Sequence, residues 1–312
     1  MDITGIFSDM SVANATPALR QRWGSGSFVV ARPRLLRLPF VRPEALLLFL
    51  PALVIPLAVF IATSLPAGVD FRFNFYPAGQ AALAGQNMYL VNGFYTPPWI
   101  AVVLAPLALL PLQASWAVFT LLSLGAFLVT FHRMGLTRQQ LVLLALSPFV
   151  LFNLWHGNLD SFVLLGSVLS PAAGVWLLLL KPQLTWPLIA LWLFRCRKNP
   201  KSRSSITFVV SFLIASAIAG VAAFPHLPDP QAMPWNTSLW PISLPLGLIL
   251  LVFAARYDDE KMALASAPLL SPYLAIHSWL LTTLPFLRRP LFLAGFVALA
   301  WVAVTLRAVY TP

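Results

Sequence analysis

Long runs without a charged residue dominate this chain, at 45-64, 114-131, 139-155, 204-224, 239-255, 262-287 and 291-306. Each matches or approaches the ~20 apolar residues that a helix needs to cross a hydrocarbon core. Lipid leaves no partner for an open backbone, and these runs are too long and too continuously apolar for barrel strands, so they predict α-helices. Composition agrees: 59% of the residues are hydrophobic and only 9% are charged, which excludes an ordinary soluble domain. The expectation is an all-α integral membrane protein, a polytopic bundle of roughly nine to eleven membrane-embedded helices. With 28 prolines in the chain, many of those helices should be interrupted.

The positive charges predict an orientation. Seventeen of the 20 Lys and Arg residues fall in five clusters: Arg20 to Arg42, Arg133 with Arg138, Arg195 to Arg203, Arg256 with Lys261, and Arg288 with Arg289. One threading puts all five on the cytoplasmic side. Residues 1-44 are then a basic cytoplasmic segment, the first apolar run is an uncleaved anchor, and 45-312 form a single transmembrane domain. The predicted location is the cell (inner or plasma) membrane, multi-pass, with the N-terminus cytoplasmic. The net charge of +11 is thereby explained without nucleic acid, because the cations sit in short groups between apolar runs. A single cysteine, Cys196, excludes an intrachain disulfide.

This threading gathers the remaining polar chemistry on the opposite face. Asp70, Asp160, Asp229, His156, His226, His277, Asn74, Asn158 and Asn236 all map there. Several are flanked tightly by apolar sequence, and polar groups at that depth are functional candidates. The first outer loop, 65-113, carries Asp70 and many aromatics. Tyr76 to Gly85 predicts a short helix lying along the interface, with Phe71, Phe73, Phe75, Tyr76, Tyr89, Phe94, Tyr95 and Trp99 as an interfacial belt. Asp70 is either paired with Arg72, a helix-end cap, or a working group. Pro97-Pro98 opens a run too short to span before Pro111. Between His156 and Arg195 there is too little chain for three full crossings. One crossing with a re-entrant hairpin fits, and so do three short interrupted helices punctuated by Pro171, Gly174 and Pro182.

Four blocks resemble those of the GT-C glycosyltransferases, in particular the polyprenyl-phosphate-mannose-dependent branch, glycosyltransferase family 87. They are D-F-R-F-N-F-Y-P-A-G-Q-A-A-L-A-G-Q-N-M-Y from Asp70 to Tyr89, running into F-Y-T-P-P; H-G-N-L-D at His156 to Asp160; L-K-P-Q at Leu180 to Gln183; and the pair N-T-S-L and S-P-Y-L-A-I-H at Asn236 and Ser271. The resemblance implies a GT-C-like fold whose active site faces away from the cytoplasm, with Asp70 as catalytic base. It implies an inverting transfer of a sugar, mannose first, from a polyprenyl-phosphate donor to a lipid or glycan acceptor. One carboxylate suffices for such a displacement, whereas glycosidases use two. Lys181, Arg72 and His277 are the candidates for the donor phosphate. Snorkelling of Lys181 and ordinary packing of His277 are the bland alternatives. Tyr76, Tyr95, His156, Asn158, Asp160, Gln183 and Asn236 are assigned to substrate positioning. No cofactor and no metal are called for, since no His/Asp/Glu cluster has ligand spacing. The implied partners are membrane lipids, the polyprenyl-phosphate sugar and the acceptor, with no nucleic acid and with partner membrane subunits left open.

Two other readings stand beside this one. Only 22 residues separate Asn158 from Lys181, a compression relative to the family that fits a non-catalytic membrane subunit with a degenerate GT-C fold. A transporter would use Asp70, Asp160 and Lys181 along a pathway at broken helices, although no internal repeat accompanies them.

Overall fold

A computed structural model describes residues 43–223 and 236–310. The expected basic segment 1-44 falls almost entirely outside these residues, as do His226 and Asp229. Two compact units divide the chain, 1–49 and 50–312; apart from the opening turn of the first helix, everything below belongs to the second. Among the described residues the structure is all-helical, with no strand.

Among the described residues thirteen α-helices follow one another. They are α1 (Pro43–Ser64), α2 (Tyr76–Leu83), α3 (Pro98–Leu104), α4 (Leu112–Arg133), α5 (Arg138–Ala145), α6 (Pro148–His156), α7 (Asp160–Val168), α8 (Pro171–Leu178), α9 (Pro182–Lys198), α10 (Arg203–Ala222), α11 (Leu244–Tyr257), α12 (Glu260–Leu270) and α13 (Pro290–Tyr310). A π-helical turn, Phe71–Phe75, leads into α2, and an 11-residue 3₁₀ helix, Ile276–Phe286, precedes α13.

The expected nine to eleven membrane-embedded helices need correction as spans. Among the described residues three helices are long and apolar enough to cross a membrane: Leu112–Arg133, Arg203–Ala222 and the 290–307 part of α13. A fourth exists if α5 and α6, bent by 55° at their junction, count as one broken span. The cause lies in the chain's own punctuation. Run 139-155 is cut where Ser147 accepts from the Val150 amide and Pro148 starts a new helix. Run 262-287 is cut at Ser271 and Pro272 into the 11-residue α12 and the 3₁₀ helix. Prolines that are costly inside a helix stand in the first turns of α3, α6, α8, α9 and α11, where an unused N–H is no loss.

The His156–Arg195 stretch becomes a hairpin of two short helices, α7 and α8, of 9 and 8 residues, followed by the 17-residue α9. At 1.5 Å per residue neither arm crosses a bilayer. Helix α4 packs on α7, α8 on α7 and α10, α9 on α12, and α12 on α11 and the 3₁₀ helix. Outward faces are apolar: only 17% of the apolar window of α10 and 11% of that of α13 are buried, against 50% for α4. Leu213 and Leu299 are among the side chains so presented. Such faces match lipid as solvent, and the fold is consistent with a helical membrane protein.

The aromatics of the first loop depart from the expected belt. Phe71, Phe75 and Phe94 are buried, and only Phe73 among the eight is exposed. Phe71 packs on Phe119 at 4.7 Å and on Trp116 at 5.6 Å between ring centroids. The loop is thus part of the core, and its helix α2 ends at Leu83, close to where the sequence places it.

Candidate functional site

Asp70 stands at the start of the π-helical turn, a rare geometry that recurs at functional sites. The Arg72 amide donates to the Gly68 carbonyl at 2.7 Å, which folds the approach to Asp70 tightly. Gly68 lies so close to the end of α6 that a Cβ there would come within 2.6 Å of the His156 carbonyl. Gly157, in left-handed backbone at φ +73°, terminates α6, and its own missing Cβ makes room for Phe71 and Trp116. Two glycines therefore press the loop of Asp70 against the turn that carries Asn158.

That contact becomes a hydrogen bond. Asn158 Oδ1 accepts from the Leu159 amide at 2.7 Å, so its Nδ2 is left to donate to Asp70 Oδ2 at 2.6 Å. Asp70 is half-buried, and its second oxygen, Oδ1, has no hydrogen-bond partner among the described residues. Asn153 shapes the same turn: its carbonyl accepts from Gly157 and Asn158, and its Oδ1 accepts from the Asp160 amide at 3.2 Å.

Asp160 opens α7 and is buried. Its Oδ1 pairs with the ammonium of Lys181, the residue that caps α9. Its Oδ2 lies 2.6 Å from His277 Nδ1 and accepts from Ser278 Oγ at 2.7 Å. A buried carboxylate keeps its charge only with such partners. Because the carboxylate accepts, His277 Nδ1 is the donor and Nε2 is the nitrogen left for other work. The His277 ring meets the His156 ring edge-on at 6.3 Å.

Tyr273 reaches the same region from the loop between α12 and the 3₁₀ helix. Burial, together with the negative charges of Asp70 and Asp160 and neighbouring Tyr95, raises its phenol above the ordinary value. Tyr95 is near enough to act electrostatically on that phenol. Asn236 fixes the loop: its Nδ2 donates to the Pro272 carbonyl at 2.9 Å, and its Oδ1 accepts from the Ser238 and Leu274 amides. Asn236 thereby clamps the backbone on either side of Tyr273.

The sequence-assigned residues thus divide. Asp70, His156, Asn158, Asp160, Lys181 and His277 come together, with Tyr95 alongside and Asn236 behind the loop. Gln183 is half-buried in the first turn of α9, two residues past Lys181. Tyr76 is turned to another task, donating to the Leu110 carbonyl at 2.9 Å and tying α2 to the loop before α4. Arg72 is exposed, its guanidinium over the Phe73 ring at 5.0 Å, and is not brought to the cluster. Sequence reasoning missed Tyr273, Ser278 and Asn153 as site residues. Ser278 and Asn153 stand next to His277 and one turn before His156, and polar residues so placed in apolar runs are the signal that would have found them.

Lys181 carries three donors and Asp160 uses one of them, so the ammonium retains capacity for a second anion. The arrangement offers an open carboxylate oxygen, a cation and an imidazole nitrogen within one junction of five chain segments. Compared with models of known protein families, with curated proteins and with solved structures, the chain matches none.

Proposed function

We propose that this chain is a GT-C-like membrane glycosyltransferase, which moves a sugar from a polyprenyl-phosphate donor to a hydroxyl acceptor. Asp70 is the base. The acceptor oxygen attacks the anomeric carbon, the bond from that carbon to the phosphate oxygen breaks with inversion, Asp70 takes the hydroxyl proton, and polyprenyl phosphate leaves with the electron pair. Lys181 and His277, both held by Asp160, meet the growing phosphate charge. Mannose is the first sugar to try, and the site faces away from the cytoplasm, with the N-terminus on the cytoplasmic side of the cell membrane, as the clustering of cations favours.

The observation that carries the reading is the state of Asp70: one oxygen oriented by Asn158, the other open, beside a half-buried lysine and a buried histidine. Reconstituted protein supplied with polyprenyl-phosphate-mannose and candidate acceptors should transfer sugar, and Asp70→Asn should not. Transfer at the native rate by that variant would remove Asp70 from the mechanism.

A second reading, the non-catalytic membrane subunit, is favoured by one fact: Asp160 occupies both Lys181 and His277. Binding separates the two, because a subunit with a structural ion cluster would not hold the donor more tightly than a plain polyprenol.

A further inference from the structure

The start of α13 combines an apolar groove with cations that form no salt bridge among the described residues. The groove, about 380 Å³ in volume, is lined by Phe286, Leu291, Phe292, Gly295, Phe296 and Leu299, with scarcely a polar atom. Leu291 and Phe292 are exposed, and a Cβ added to Gly295 would meet nothing, so the depression there is open. Phe286 stacks with Phe292 and Phe296, and Phe149 closes on Phe296 at 5.9 Å, which gives the groove a firm floor.

Arg288 and Arg289 directly precede α13. Their turn is anchored: Gln140 Nε2 donates to the Leu287 carbonyl, and the Arg289 amide donates to the Phe286 carbonyl at 2.8 Å. Lys261, in the first turn of α12, has its ammonium lowered below the usual value by burial and by nearby Arg288, against an opposing pull from Asp259. Among the described residues none of these three cations forms an ion pair with a carboxylate. Three cations that outnumber the one carboxylate near them, Asp259, at the start of a helix whose apolar face is open, are matched by an anion carrying a hydrocarbon chain.

We infer that this corner binds one anionic phospholipid, its phosphate on Arg288, Arg289 and Lys261 and one acyl chain along the groove of α13. The site is separate from the Asp70 junction, since the 11-residue 3₁₀ helix that begins beside His277 ends at Phe286, about 20 Å away at ~2.0 Å per residue. The inference does not rest on glycosyl transfer.

The test uses the full chain in nanodiscs of mixed phosphatidylglycerol and phosphatidylcholine, with lipid retained after extraction measured by native mass spectrometry. Phosphatidylglycerol should be retained in preference, and the R288Q/R289Q variant should reduce that preference by about tenfold, each cation contributing up to roughly fivefold. Soluble glycerophosphoglycerol, which has the headgroup and no chain, should fail to compete. Equal retention of the two lipids, or full competition by the chainless headgroup, overturns the site. On the unmodified protein, a phosphatidylglycerol with a photoactivatable acyl chain should crosslink within 286–299. Crosslinks spread over the exposed faces of α4, α10 and α13 alike, or a crosslinked second copy of the chain at this face in place of lipid, overturn it as well.

Discussion

Helix α9 has an ion cluster at each end, about 21 Å apart at 1.5 Å per residue. At its start Lys181 pairs with Asp160, which also holds His277 and Ser278. Near its end Arg195 takes Asp258 through Nε at 2.7 Å and the Asp258 carbonyl through Nη2, pairs with Glu260, and Glu260 in turn accepts from Trp192 Nε1. The Arg195 cluster joins α9 to the turn between α11 and α12, with Asp258 largely open to its surroundings at 56% side-chain exposure. All three of its guanidinium nitrogens are engaged by acceptors on that turn. At the other end the buried charges are matched but donors and an imidazole nitrogen remain, and the open oxygen of Asp70 lies alongside. Engagement of every guanidinium nitrogen suits a fastening, and an open carboxylate oxygen beside a cation and an imidazole suits a place where something can bind.

The contrast can be broken at either end. The largest effect is expected at Asp70→Asn, a loss of transfer of about 100- to 10,000-fold, the usual share of a general base, with the melting temperature in detergent nearly unchanged because Asp70 gives up one hydrogen bond at a half-buried position. A variant that loses activity and folding together would make Asp70 a structural residue.

Next is Asp160→Ala. It strands Lys181 and His277 without their counter-charge and should destabilise by ~3–5 kcal/mol, read from denaturation in detergent. Asp160→Ala combined with Lys181→Met should recover part of that loss. Failure to recover any would mean the pair is not the source of the cost.

Arg195→Met sharpens the other end. It should cost ~1–3 kcal/mol by leaving Glu260 with one partner fewer, while transfer by the folded fraction stays at the native rate. A catalytic defect there would erase the distinction between the two clusters.

The smallest effect is expected at Asn236→Ala, about 1–2 kcal/mol for the lost clamps on the Pro272–Leu274 loop, with a raised KM as Tyr273 loosens. Asn236→Asp keeps the acceptor for the Ser238 and Leu274 amides and should restore much of the KM. If it does not, the Pro272 contact is the one that matters.

Much of the site was visible as polar residues in apolar surroundings. Asp70, Asn158, Asp160, Lys181 and His277 stand out because each is costly in a hydrocarbon-rich chain unless it has a partner. The partners themselves were not legible. Asp70 finds Asn158 88 residues along the chain, and Asp160 finds His277 117 residues along. Pairing of that range is set by which helices pack, and periodicity carries no record of it. Arg72 shows the opposite case: two residues from Asp70, it looked like a natural phosphate ligand, yet the π-helical turn sends it outward onto Phe73.

What the sequence alone determined is the solvent and the secondary structure: runs of apolar residues at hydrocarbon length require helices, and prolines after Ser147 and Lys181 dictate where those helices begin. The tertiary structure decided which runs are whole spans and which are bent or halved, because a proline or serine in a run ends a helix only if neighbouring elements satisfy the backbone it frees. It also decided that Lys181 and His277 serve one carboxylate. Such a junction exists only where separate helix ends are pressed together, and here the close approaches at Gly68 and Gly157 permit it.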